Sequence, residues 1–496
     1  MLKLNVRAWW RKPAAPLILI GAVKLGFQLA LNGAYGLHTD ELYYILSGQH
    51  LAFGYVDFPP VTPLLAHLDT AIFGISPWTL RLFPALTGAG MVILSGLCAL
   101  ELGGSRQVAL LASVVALVSP YLLATWLFQT VEFDEFIWLL AVFLLIRIIR
   151  TRDGRLFIAL GVVLGVGIET KFTILALWLG VLVAVLMSRE LRLFLRGRSL
   201  WIGAIVAVAA AIPNLAWQVA NGYPTLTYTL NHSSDIKQSG GPAAFVALFI
   251  LVIGPVLLPL WIAGLVFLWR DPRYRPLVVL VVVTIVLFLP DGKAYYPAPT
   301  VPFVLAAGCV AVGRIARAPR RHWAVGGVVI AGALEAVLLS PIILPLVPPS
   351  AMHRTGIDKL NADFANTYGW SQMTEQVGAV YNALPPDQRA HAAILASIDG
   401  QAAAIDIYGG AEKLPQAISP HLTFWYWKPV GLDPTTLVTV GYAPGDLRFL
   451  CGTIVRAGAV MIPYSIDNLN QGAPILVCTD LHEPLDAAWS TLRNFS

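Results

Sequence analysis

The feature that most constrains this chain is an alternation: long apolar runs separated by loops, with arginine crowded into every second loop. Counting runs of roughly 17 to 25 residues gives about eleven candidate spans, near 13–32, 82–101, 107–125, 133–150, 156–170, 173–188, 199–217, 243–269, 277–290, 299–316 and 323–346. Alternate loops carry Arg106; Arg147, Arg150, Arg152 and Arg155; Arg189, Arg192, Arg196 and Arg198; Arg270, Arg273 and Arg275; and Arg314, Arg317, Arg320 and Arg321. The intervening loops hold few cations, chiefly Lys171, Lys237 and Lys293. Short cytoplasmic loops collect Lys and Arg. The pattern therefore predicts a polytopic α-helical membrane protein of about eleven spans, N-terminus in and C-terminus out. Lys3, Arg7, Arg11 and Lys12 precede the first run, which is about the length of a full span and lacks a small-x-small cleavage site. It is expected to be an uncleaved first helix.

Composition agrees, with 57% hydrophobic and only 12% charged residues, against about 25% charged in soluble domains. The net charge of +5 resides mainly in the loops that orientation requires. It is no sign of a nucleic-acid partner. Cys98 and Cys309 fall inside apolar runs, where a thiol behaves as a small hydrophobe. Only Cys451 and Cys478, in the polar C-terminal part, are placed to form a disulfide. No CxxC or His/Cys cluster has zinc spacing, and the external histidines His38, His50, His67 and His232 are irregularly spaced. No metal ligands are assigned and no cofactor follows from the residues; a divalent metal is compatible with the chemistry but not indicated.

The first external loop, 38–81, is too long for a mere connector. It opens with HTDELYYILSGQHLAFGYVDFPP, in which Thr39 is expected to cap a helix from Asp40 to about His50. A second helix is expected over Thr62 to Phe73, after Pro59 and Pro60. Both are predicted to lie in the membrane interface. Residues 1–346 thus form the membrane domain. From 347 to 496 the chain reads as a separate α/β domain with its own core. Strands are expected at 392–398, 437–442, 452–460 and 474–478, and helices at 371–384, 401–408 and 484–495.

Asp40 and Glu41 stand in the first turn of the first loop helix, where acids complement the helix dipole. A carboxylate at that place also suits a base that takes a proton from an acceptor hydroxyl arriving from outside. Lys171 in ETKFT and Lys293 in GKAYYPAP are external cations near span ends, fit either for a lipid phosphate or for interfacial snorkelling. Tyr295 and Tyr296 suit hydrogen bonding to substrate or an aromatic belt. Lys24 and Glu335 lie deep in spans, where charge needs a role or a partner. Trp425, Tyr426 and Trp427 beside His421 suit glycan or membrane contact, or core packing.

The loop sequence above, followed by LRLFPALTG, FQTVEFDEFIW, GVGIETKFT and GKAYYPAP, resembles the bacterial GT-C polyprenyl-phosphate-dependent glycosyltransferases. The likeness is to the family 39 group, related to protein O-mannosyltransferases and the lipid A aminoarabinose transferase. It covers about residues 30 to 310. The resemblance implies a catalytic base at Asp40 beside Glu41, and a second cavity acid at Asp134 or, as runner-up, Glu132. It also implies a substrate-binding set of Tyr44, Asp57, Glu132, Lys171, Lys293, Tyr295 and Tyr296. Phe58 stands where the aminoarabinose transferases place a lysine, so one expected phosphate cation is missing.

The expected activity is that of an inverting glycosyltransferase in a bacterial inner membrane. It would move mannose or another hexose or pentose from a polyprenyl-phosphate donor to a hydroxyl of an extracytoplasmic protein, lipid or polysaccharide. The alternative is a transporter or flippase of a lipid-linked saccharide, which would more often show repeated halves and charge at the bilayer midplane. A non-catalytic scaffold gives no reason for the external carboxylates.

Overall fold

The structure is a computed structural model that describes residues 15–237, 241–290, 292–315 and 323–496. Lys3, Arg7, Arg11, Lys12, Arg317, Arg320 and Arg321 lie outside the described residues, as do the side chains of His232 and Lys237.

The apolar runs are helical. In chain order they are α1 (Ala15–Leu31), then, after α2 (Thr39–Gln49) and α3 (Val61–Phe73) of the first loop, α4 (Leu82–Glu101), α5 (Arg106–Val118), α6 (Thr130–Thr151), α7 (Leu156–Ile168), α8 (Ile174–Met187) and α9 (Arg198–Ala220). There follow α10 (Gly241–Ile253), α11 (Leu258–Arg270), α12 (Arg275–Phe288), α13 (Val301–Ile315) and α14 (Trp323–Ile343). Among the described residues four helices are long and apolar enough to cross a membrane, or up to six if two bent pairs each count once.

One of those pairs corrects the sequence reading. The expected single span at 243–269 is two helices, α10 and α11, bent by 94°. Gly254 takes a positive φ of 95° at the break, Pro255 has no N–H to continue the ladder, and Val256 N–H donates to Glu335 Oε1 of α14 at 2.9 Å. The acid buried in an apolar helix thus caps a broken one.

Helices elsewhere approach through glycines. A Cβ on Gly161 of α7 would run into the Gly203 carbonyl of α9, and one on Gly308 of α13 into Leu260 of α11. Such close backbone contact stands in for the hydrophobic drive that lipid does not supply. The bundle core is continuous, with Trp138, Leu145, Leu277 and Phe303 fully buried.

After α14 come α15 (Trp370–Asn382), α16 (Asp399–Tyr408) and α17 (Leu485–Leu492) with a five-stranded mixed sheet. Its strands are β1 (Ala392–Ala396), β2 (Ala417–Ile418), β3 (Thr436–Val440), β4 (Cys451–Ala459) and β5 (Pro474–Leu481), in spatial order β2-β1-β3-β5-β4. β2 is too short to announce itself in sequence; the other four fall at the expected places. A disulfide between Cys451 and Cys478, Cα atoms 5.7 Å apart, ties edge strand β4 to β5.

The sheet region does not keep its core to itself. Leu42, Tyr43, Ile45 and Leu46 of α2 belong to the same buried cluster as Phe364, Trp370, Ala402 and Phe424. α2 is thus roofed by α16 and packs its apolar side into the protein. α3 does present an apolar face, with Leu64, Leu68, Ile72 and Phe73 exposed. The cap also differs from expectation: Thr39 is the first helical residue, and His38 Nδ1 accepts from Asp40 N–H at 3.2 Å while Glu41 Oε2 accepts from His38 N–H at 2.8 Å.

Candidate active site

Where α2, the start of α6, residues 292–296 and the sheet region meet, they line a cavity of about 1440 Å³, larger than the roughly 300–1000 Å³ of ordinary small-molecule sites. Of the residues singled out in sequence, it gathers Asp40, Tyr44, Asp57, Glu132, Lys171, Lys293, Tyr295 and Tyr296. Phe245, Leu248 and Val252 of α10 with Leu339 and Ile342 of α14 give it an apolar side.

Asp40 has its Oδ2 held by Gln129 Nε2 at 2.9 Å, and His38 Nδ1 stands 3.9 Å away. Burial raises its pKa above the ordinary carboxylate value; Asp399 and Asp363 raise it further, while His38 and Lys293 oppose the rise. Asp57 accepts from Tyr43 Oη at 3.1 Å, and Tyr43 Oη in turn accepts from Thr423 N–H at 3.0 Å. Burial and, after it, the neighbouring Asp399 charge push Asp57 up to about 8. At neutral pH Asp57 is therefore mostly protonated.

Glu41 does not join them. It is fully buried, and its two oxygens take Arg81 Nε at 2.8 Å, Arg81 Nη2 at 2.7 Å, Phe128 N–H at 2.9 Å and His38 N–H at 2.8 Å. Its acceptor capacity is used on the frame, and the expected partner of Asp40 stands outside the cavity lining. Asp134 is likewise turned away from the cavity; Thr173 Oγ1 donates to its Oδ2 at 2.7 Å. Glu132 and Glu135 line the cavity in its place. They are three apart and so share a face of α6, which leaves Asp134 on another.

The two lysines and the tyrosines converge. Lys171 Nζ lies 5.5 Å from the Tyr295 ring centre and 5.9 Å from that of Tyr296, and Lys293 Nζ lies 6.0 Å from Tyr295. Lys171 also donates to Thr130 Oγ1 at 3.4 Å. Phe58, at the position where the aminoarabinose transferases were expected to carry a lysine, packs edge-on against Tyr43 and Tyr44 with ring centres 5.0 and 4.9 Å away. Among the described residues the cations lining the cavity are Lys171 and Lys293.

Sequence reasoning missed what the sheet region contributes. Asp399, at the start of α16, and His421 line the cavity, with His421 Nδ1 2.7 Å from Asp399 Oδ1 and Nε2 3.1 Å from the Ser496 carbonyl. Burial lowers the imidazole's pKa, but the bond to Asp399 and its charge outweigh that and leave it above the ordinary histidine value. The aromatic cluster after His421 seals this region to the rest: Trp427 stacks on His50 at 4.5 Å, and Tyr426 meets Trp217 of α9 at 5.9 Å. Among the described residues no group of three His, Cys, Asp or Glu side chains is arranged to hold a metal.

Residues 57–217 match the family model described as dolichyl-phosphate-mannose-protein mannosyltransferase. Among curated proteins none matches the sequence significantly. Among solved structures the chain is similar to ArnT from Cupriavidus metallidurans in the apo state, with 16% identity, a TM-score of 0.60 and coverage of 93% of this chain and 97% of that one. ArnT from the same organism bound to undecaprenyl phosphate gives 17% identity and a TM-score of 0.57 at the same coverage. At these identities the likeness is one of fold.

Proposed function

We propose that this chain, a membrane protein of the GT-C glycosyltransferase fold, moves a sugar from a polyprenyl-phosphate donor to a hydroxyl of an extracytoplasmic acceptor. The observation that carries this reading is the composition of this cavity: Asp40, the Lys171 and Lys293 ammonium groups and an apolar wall open onto the same space. Each suits one part of such a reaction. The apolar wall takes the first isoprene units, the two cations meet the phosphate, and Asp40 receives the acceptor's proton.

In the step itself Asp40 removes the proton from the acceptor hydroxyl as its oxygen attacks the anomeric carbon opposite the phosphate. The bond from the anomeric carbon to the phosphate oxygen breaks, the configuration inverts, and the lipid monophosphate departs with the bonding electron pair. Lys171 and Lys293 offset the charge that develops on it. Asp399, His421 and Asp57 border the side from which the acceptor enters.

The arginine alternation supports an orientation with this cavity and the sheet region on the extracytoplasmic face of a bacterial inner membrane. The disulfide supports the same side, since such bonds persist in oxidising compartments. The acids gather at one end of α6 instead of along a path through the bundle, which favours an enzyme over a carrier. Mass spectrometry of envelope lipids, glycans and proteins from a deletion strain tests the proposal. A lost modification together with accumulated lipid-linked sugar is expected, restored by the wild-type chain and not by Asp40→Asn. An unchanged envelope would refute it.

A further inference from the structure

One wall of the cavity has a chemistry that the transfer step leaves unused. Tyr121, Glu132 and Glu135 line it, and are only 6%, 5% and 4% exposed. Among the described residues Tyr121 Oη, Glu132 Oε2 and Glu135 Oε2 have no hydrogen-bond partner. Tyr121 and Glu135 face each other, and the Lys171 and Lys24 ammonium groups stand near enough to act on the Glu135 charge. Buried polar atoms are nearly always paired, because leaving them unpaired is costly. Three in one wall of a cavity point to partners that the ligand brings.

The wall is also braced from behind. Lys24 Nζ donates to the Leu122 carbonyl at 2.7 Å and Gln28 Nε2 to the Thr125 carbonyl at 2.6 Å. These two α1 residues, one turn apart, fix the segment that carries Tyr121. The lysine buried in an apolar helix thereby acquires a purpose.

Its position relative to the reacting groups is equally specific. Gln129, which holds Asp40, and Thr130, which meets Lys171, stand at the start of α6. Glu132 and Glu135 follow on the same helix. A ring held at the two glutamates is therefore held by the same helix whose first residues meet Asp40 and Lys171.

We propose that Tyr121, Glu132 and Glu135 form the subsite for the donor's sugar ring, gripping it through hydrogen-bond-donating substituents on neighbouring ring carbons. This rests on the reading of the cavity as a polyprenyl-phosphate glycosyl site. The glutamate pair is the feature that sets which glycosyl group is accepted.

The test uses the full chain purified in detergent, loaded with added undecaprenyl phosphate and with lipid extract from the source cell's own membranes. Retained lipids are then identified by mass spectrometry. Wild type is expected to hold both undecaprenyl phosphate and a sugar-bearing polyprenyl phosphate. Glu132→Gln/Glu135→Gln is expected to keep the bare lipid and lose the sugar-bearing form by about tenfold or more. Tyr121→Phe removes one oxygen and leaves the ring packing, so it carries the test should the double variant not fold; a loss of several fold is expected. Retention of the sugar-bearing lipid at wild-type level in a folded variant overturns the subsite alone. Failure of wild type to hold undecaprenyl phosphate overturns the cavity reading and the subsite with it.

Discussion

Arg81 and Glu41 lock together inside the protein, with two guanidinium nitrogens 2.8 and 2.7 Å from the two carboxylate oxygens and neither side chain exposed. Arg81 also donates to the carbonyls of Asn32, Tyr35 and Gly36. The pair therefore ties the end of α1, the start of α2 and the start of α4 into one corner. Asp40, one residue before Glu41, faces the cavity instead. Two adjacent acids are thus divided between frame and cavity by the turn of a helix.

Glu41→Gln is expected to destabilise the protein more than it alters the reaction. Removing one partner of a buried ion pair leaves the other charge unpaired and costs about 3–5 kcal/mol. A clearly lowered melting temperature in detergent is the expected outcome. A wild-type melting temperature would mean that the corner does not depend on the charge pair.

Asp40→Asn should do the reverse. The carboxamide still accepts from Gln129 and disturbs no core contact, so melting should stay at the wild-type value. Transfer should fall by about 10²–10⁴-fold, the usual contribution of a positioned base. Near-normal transfer would remove Asp40 from that role and direct attention to Asp399.

What sequence made legible, and what it hid, follows from the range of the interactions. The helices were readable because each apolar run is a local pattern, as were Asp40, Lys171 and Lys293 near the ends of such runs, whereas Asp57 came only with the family resemblance. The bend at Gly254 was not, because a long unbroken apolar run looks like one span whether or not Glu335 caps its middle. Asp134 and Glu135 are both acids in the same short motif; helical phase, not composition, decides that one meets Thr173 and the other the cavity. Asp399 left no local sign at all and His421 only its place beside an aromatic cluster, since their approach to Asp57 spans most of the chain.

The disulfide offers a test confined to the sheet region. Cys451 and Cys478 are buried and close a loop with a sequence separation of 27, for which about 2–4 kcal/mol of stabilisation is typical. Cys451→Ser with Cys478→Ser should lower the melting temperature, and a reductant should lower that of the wild type but not of the double variant. Equal sensitivity of both proteins to reductant would place the effect elsewhere.

The acid limb of the pH profile should respond to charge around Asp40 in opposite directions. A base must be ionised to accept a proton, so kcat/KM falls as pH drops through the pKa of Asp40. That pKa is raised first by burial and then by Asp399 and Asp363, and lowered by His38 and Lys293. Asp363→Asn removes a negative neighbour whose side chain is 62% exposed, so the fold is spared; ionisation of Asp40 becomes easier and the limb moves to lower pH. Lys293→Met removes a positive neighbour, ionisation becomes harder, and the limb moves to higher pH while overall activity drops. Both limbs are read from kcat/KM measured across pH in the two variants and wild type. Shifts in the same direction, or no shift in either, would show that a group other than Asp40 sets the limb.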